Sequence, residues 1–544
     1  MRLIACLLLV LTFSDVREAE RIFTAGQQLY AEGKYKLAAD TLKVSATLFE
    51  QAGKTIEQVR AANLQAESLS NLGQCDVAGQ LLQHSLEIIG NENKAVLADT
   101  YYYLSRHAGG CARKFDDAIG LMQKSLAIKE DIYKPGDPSF AFDYTFLGYI
   151  YNSKGKYDSA LVYLNRAIAI REKDPAADAV ETSHTLFNLA ASYEGKSQLG
   201  KALDLNLQAL QTRMEKLGST HVTVANSINS IGRIYRKLGN NERALEYYRQ
   251  ALDIRKSALG VNHPNVAGSY YEIGNLYGNI SNYHASLEYI QEGNRILESN
   301  AQVANDVLPT YIAYAGKMYG LTGQHSNAKA AIQKAVTMAE TKLAATHPYR
   351  AVVYNIAGEY YAETGELEKQ SEYFNKALVV YRASYGNGSE READVISKMA
   401  ASYAKFGQPD KALLMYTDAL ALYITRVGDQ NPKTVSVLLA IGDIHASKKN
   451  LAQAETNYQQ ALHSTDTTNK PLMLRIVRSK AKIEQGETAL ASYQQAIELM
   501  DEIAQGYNNE AARIQLEKEK RELCAAAMDV VWDLYDKTHY QEFL

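Results

Sequence analysis

The chain has 544 residues, 58 of them basic and 62 acidic, for a net charge of −4. A balance this close excludes a global electrostatic footprint for nucleic acid or an anionic membrane surface. Length alone would allow several ordinary domains, and only internal repetition argues against them.

Residues 1–18 carry an apolar run, Leu3 to Phe13, behind a single Arg2 and ahead of the charged residues that begin at Asp15. The run resembles a short secretory signal and is too short to cross a bilayer, which takes about 20 apolar residues. The expected location is exported or periplasmic if the run is a signal peptide, and cytoplasmic otherwise. Cys6, Cys75, Cys111 and Cys524 are far apart and show neither CxxC nor Cys/His ligand spacing. The expectation is therefore four packing thiols, no disulfide framework, no zinc site, and a fold indifferent to chelators and reductants.

From residue 19 to 463 the sequence repeats. Two early units, around Gly26, Gly33, Ala38 and Ser45 and around Ala66, Gly73, Ala78 and Ser85, are 40 residues apart, after which the step becomes 42. One small column contains Gly148, Ala190, Gly232, Gly274, Gly316, Gly358, Ala400 and Gly442. Three residues on, seven tyrosines share a column, Tyr151, Tyr193, Tyr235, Tyr277, Tyr319, Tyr361 and Tyr403. Two further small columns pass through Ala244 and Ala251. Apolar spacing such as Ala244, Leu245, Tyr248, Ala251 and Leu252 is helical. Each unit is thus expected to be a pair of antiparallel helices: small columns admit close helix approach, tyrosines fill the space between hairpins, and a turn glycine such as Gly239 takes a left-handed backbone. A lone hairpin cannot bury its own face, so stability has to come from stacking on neighbours. Pro138, Pro264, Pro348 and Pro432 lie whole steps apart and mark helix starts. His263 and His347 precede two of them, and are expected to be loop and cap residues, not ligands or catalysts.

The order Gly232, Tyr235, Gly239, Ala244, Tyr248 and Ala251 resembles the tetratricopeptide repeat, and the longer step with its His-Pro loops resembles the kinesin light chain variety. The resemblance implies an all-α, right-handed superhelical solenoid of about twelve hairpins: eleven in residues 19–463 and a degenerate twelfth, around Ala489 and Ala496, in 464–505. Residues 506–544 are expected to form a C-terminal helical segment, truncated before a further domain. The order of array and tail also resembles the region before the protease in bacterial caspase-like proteins of the CHAT class. None of the 11 histidines is followed by glycine, so the histidine that family's chemistry needs is absent.

The function expected is a non-enzymatic scaffold that binds a peptide or partner domain in the concave groove. The alternative is the sensory half of a CHAT-class protease whose catalytic part lies elsewhere. No Walker, GxSxG, HExxH or GxGxxG run is present, and no cofactor, metal, nucleic acid, small-molecule substrate or membrane span is expected. The resemblance also implies which face of each first helix lines the groove, and there Asn226, Asn229, Arg233 and Arg236 are joined by Tyr271, Asn275 and Lys317 from the next two hairpins. Amides, cations and an aromatic on adjacent strips would suit an acidic partner segment. Both arginines are expected to be exposed, so that reversing their charge would abolish capture without altering the melt.

Overall fold

The structure, a computed structural model, describes residues 2–173, 179–300, 306–467, 469–505 and 510–538, without the side chains of 2–15, 505, 510–515 and 538. The apolar run and Cys6 therefore lie outside the described side chains. Every regular element among the described residues is an α-helix. The first six hairpins are α1 (Arg2–Ala31) with α2 (Tyr35–Gln51), α3 (Thr55–Asn71) with α4 (Cys75–Ile89), α5 (Lys94–Gly110) with α6 (Phe115–Ile132), α7 (Ser139–Ser153) with α8 (Tyr157–Arg171), α9 (Ala179–Gly195) with α10 (Leu199–Leu217), and α11 (Val222–Lys237) with α12 (Asn241–Leu259). The next six are α13 (Pro264–Asn279) with α14 (Tyr283–Ser299), α15 (Leu308–Leu321) with α16 (His325–Lys342), α17 (Pro348–Glu363) with α18 (Leu367–Tyr385), α19 (Glu390–Lys405) with α20 (Pro409–Val427), α21 (Pro432–Ser447) with α22 (Leu451–Ser464), and α23 (Lys470–Ala481) with α24 (Gly486–Gln505). A last helix, α25 (Glu510–Thr538), packs on α24. Each hairpin packs on the next, which makes the fold a helical repeat solenoid.

The small columns explain the hairpin geometry. A Cβ added to Gly232 would meet the Tyr248 ring at 2.9 Å, and one added to Gly358 or Gly442 would strike Phe374 or Tyr458 closer still. Glycine in the first helix thus makes room for the large residue sixteen positions later in the second. At the turn, Gly239 has φ +80°, a left-handed backbone that closes α11 and costs a side-chain-bearing residue more.

The tyrosine column meets the expectation that it fills the space between hairpins only in part: Tyr361 and Tyr403 are buried in the core. Tyr151, Tyr193, Tyr235, Tyr277 and Tyr319 are only half-buried. Tyr151, Tyr235, Tyr277 and Tyr361 stack on Tyr163, Tyr247, Tyr289 and Tyr373 of their own hairpins, at 5.4, 5.4, 5.5 and 5.4 Å. Tyr248, with no exposed surface, is the aromatic that fills a core.

The helix starts follow the loops. His221, His263 and His347 cap α11, α13 and α17, each Nδ1 accepting from the backbone N–H two residues on at 3.2, 3.1 and 3.2 Å. Burial lowers the pKa of all three rings, which favours the neutral form that can accept. Pro264, Pro348 and Pro432 occupy the first turn of their helices, and Pro138 sits just before α7.

The expectation of unpaired cysteines is overturned. Cys75 opens α4, Cys111 follows α5, and the two form a disulfide with Cα atoms 5.6 Å apart. The second helix of one hairpin begins at the edge where the first helix of the next one ends, so the stacking itself brings them together.

Candidate interaction groove

The first helices of successive hairpins wall a groove, and their facing side chains are joined by ion pairs. Arg106 of α5 reaches Glu67 of α3. Arg233 of α11 holds Glu194 of α9 with two bonds of 2.8 Å, and Lys237 adds a third contact at 3.0 Å. Lys317 of α15 binds Glu359 of α17 at 2.6 Å, and Lys398 of α19 binds the same carboxylate from the other side. Lys433 of α21 binds Asp394 of α19 at 2.6 Å. The result is a ladder in which the charge of one repeat is neutralised by the next.

This ladder absorbs much of the strip read from the sequence. Asn226 accepts from Arg255 at 2.9 Å, and Asn229 is buried. Arg236 lies half-buried beside the Tyr248 hydroxyl. Tyr271 stacks on Tyr311 at 4.3 Å and meets Tyr314 edge-on at 4.9 Å. Asn275 and Lys317 do come together, lining a cavity of about 310 Å³. The expectation that Arg233 and Arg236 are free and exposed fails, because Arg233 is committed to a buried carboxylate.

Burial pushes the Glu194 carboxyl up, but Arg233 and Lys237 more than reverse this, leaving its pKa lowered to about 2. Glu359, between Lys398 and Lys317, is likewise lowered to about 2 against the same opposing effect of burial. Arg233→Glu, alone or with Arg236→Glu, is therefore expected to destabilise by about 2–3 kcal/mol, less than breaking a fully buried pair because Lys237 remains. Thermal melts identical to the parent would show that Arg233 does not hold Glu194. A second consequence concerns acid. Both carboxyls have native pKa values below the ordinary 4.5, so the unfolded chain binds more protons between about 4.5 and about 2. Their stabilisation is complete above that window and lost as pH falls through it. Urea midpoints measured from pH 6 to 3 are expected to fall less steeply in Glu194→Gln, and equal slopes would contradict the pairing.

A larger opening lies further towards the N-terminus. A cavity of about 960 Å³ is lined by Tyr102, Arg106, Phe142, Phe146 and His184 from one side and by His347 from the other. Phe142 is 40% exposed, with the Arg171 guanidinium 4.8 Å from its ring centre. These residues were legible: His184 and Phe142 stand one and two units of 42 before Asn226. Among the described residues no cluster of three His, Cys, Asp or Glu side chains could hold a metal ion.

His347 reaches this cavity because the superhelix closes on itself. Arg113 donates to the Tyr349 hydroxyl at 3.4 Å across 236 residues, Tyr157 to Glu390 at 3.1 Å across 233, and Asn431 to Ser197 at 3.0 Å across 234. Phe115 packs on Tyr385 at 5.9 Å in the same line. Hairpins six apart in the array thus touch along a seam, and a second cavity of about 870 Å³ lies on it, between Tyr157 and Lys196 on one side and Glu390 and Arg426 on the other.

Sequence profiles described as tetratricopeptide repeat match residues 141–215, 224–265, 351–381 and 393–463. No curated protein sequence matches the chain significantly. Solved structures do. A Rap protein complexed with competence and sporulation factor is 15% identical, with a TM-score of 0.51 over 68% of this chain and 99% of that one. The apo form of RapI is 17% identical, with a TM-score of 0.40 over 53% of this chain and 98% of its own. BtubC (BKLC) from P. vanneervenii is 17% identical, with a TM-score of 0.28 over 49% of this chain and 89% of its own. The first of these likenesses shows a shared fold.

Proposed function

We propose that this array of tetratricopeptide repeats is a non-enzymatic protein-interaction scaffold that takes a segment of a partner protein into the interior of its superhelix. The observation that carries the reading is the cavity of about 960 Å³ on the inner wall, where Phe142 stays 40% exposed beside the Arg171 guanidinium. An apolar ring inside a polar, self-neutralised groove suits a segment that buries one anchor side chain and satisfies its backbone on the surrounding polar groups. The similar superhelix solved with competence and sporulation factor supports a ligand-holding role for the fold. Because Arg233, Lys237, Lys317 and Lys398 are already paired, an acidic partner reaches them only by displacing Glu194 or Glu359, and an amphipathic segment fits better.

The 42-residue step and its His-Pro loops support grouping the repeats with the kinesin light chain variety. The CHAT-class reading rests on the sequence resemblance alone. Export is supported by the apolar run together with the Cys75–Cys111 bridge, since such bonds persist in oxidising compartments.

The test is site-specific crosslinking in the organism's own extract. A photoreactive residue in place of Thr145, which lines the cavity, is expected to give discrete polypeptide adducts that Phe142→Glu abolishes. The same probe at Val379, which is 66% exposed, is the control. Equal adducts from both positions, or adducts unaffected by Phe142→Glu, would refute the groove as the binding site.

A further inference from the structure

One face of α25 carries exposed apolar side chains. α25 turns Leu523, Ala527 and Leu534 inward, each at most 9% exposed, with Leu523 and Ala527 packed with Tyr493, Leu499 and Met500 of α24. On the opposite side Met528 is 59% and Trp532 53% exposed. They are the only two large exposed apolar side chains one helical turn apart among the described residues. With half-buried Cys524 and Tyr535 they form one stripe, since positions three, four and seven apart share a helix face.

We infer that this stripe pairs with the same stripe of a second copy, the two α25 helices running antiparallel about Met528. The charges select this occupant. Exposed Arg521 stands two turns before Met528 on the stripe, and exposed Asp536 just over two turns after it. Neither forms an ion pair with a described residue of its own chain. Antiparallel pairing centred on Met528 sets Arg521 of each copy beside Asp536 of the other, on the same side of the helix pair, and seats Cys524 beside Trp532. Parallel pairing would bring like charges together, and the acidic residues Asp529, Asp533 and Asp536 disfavour an anionic membrane surface. Arg521 to Asp536 spans about 22 Å of helix, so the interface is small and the dimer weak.

Sedimentation of the full chain from about 1 to about 100 µM, the range in which so small an interface dissociates, is expected to show a reversible monomer–dimer equilibrium. Trp532 is the only tryptophan, so its emission should shift to the blue in step with mass. Met528→Glu and, independently, Trp532→Gln should keep the chain monomeric with an unchanged melt. Arg521→Glu should weaken the dimer about fivefold or more through two equivalent rim pairs, and adding Asp536→Arg should restore it. In a Cys524→Ser background, Met528→Cys should crosslink two copies on mild oxidation, while Val379→Cys should not. A monomer throughout this range, a dimer that survives Met528→Glu, or a charge swap that fails to restore association would each overturn the inference. None of these outcomes bears on the inner groove.

Discussion

Reducing the Cys75–Cys111 bridge, or replacing both residues by serine, is expected to destabilise the N-terminal repeats by about 3–4 kcal/mol, the chain-entropy value for a loop of this length. The bond links residues 36 apart in sequence and ties the second hairpin to the third. It acts where the core is thin: the surrounding cluster consists of Ala39, Ala66, Leu69, Ala78, Leu82 and Leu104, with no buried aromatic. Further along, one continuous cluster runs from Ala244 to Ile444 and buries Tyr248, Tyr354, Phe374 and Tyr381. Loss should therefore be local. Hydrogen exchange with and without reductant is expected to speed up in α3 to α6 and stay constant in α13 to α16, which lie away from the bridge and make none of the long-range bonds of the seam. Identical exchange, or thiol titration finding Cys75 and Cys111 free under non-reducing conditions, would remove the bridge from the account.

Tyr248→Ala is expected to cost about 3–5 kcal/mol, the usual range for emptying a buried aromatic site. The side chain is fully buried between α11 and α12, and burial comes first in pushing its hydroxyl pKa up to about 12. Tyr248→Phe keeps the packing, and should cost no more than about 1 kcal/mol for a hydroxyl with no well-formed hydrogen bond. The glycine supplies an internal check. Gly232→Ala alone pushes its new methyl into the ring, whereas combined with Tyr248→Ala it fills vacated space and gains helix propensity of about 1 kcal/mol. The double variant should thus be more stable than the two single losses added together. Simple additivity in denaturant titrations would mean that the two positions do not face each other. Tyr277→Ala, by contrast, should cost less than Tyr248→Ala, because its ring is half-buried and stacked at the hairpin edge.

Much of this was legible in the residues. The 42-residue step gave the hairpins, the glycine column gave their close approach, and the His-Pro loops gave the helix starts. What the columns concealed was which surface each faces. Tyrosine at Tyr235 or Tyr277 reads as core from composition, yet its partner twelve residues later is another tyrosine, and two rings stacked on each other can lie at an edge. The disulfide has no local spacing signature, although the repeat register held one: the start of a second helix and the end of the next first helix share an edge. The ion-pair ladder was readable in the same way, since Glu194 and Arg233 lie 39 residues apart and Lys317 and Glu359 lie 42 apart. Reading Arg233 alone made it look free. The seam could not be read at all, because the rise of a superhelix depends on small rotations per repeat that no column encodes.

That seam changes how the chain should come apart. A solenoid held only by neighbour contacts can fray from either end, one hairpin at a time, with a low contact order throughout. Here Arg113, Tyr157 and Ser197 meet residues more than 230 positions away, so α5 to α10 and α17 to α21 cannot loosen independently. Pulled from its ends, the protein should extend like a coil whose windings first have to part, resisting until the seam gives and only then releasing its hairpins in sequence.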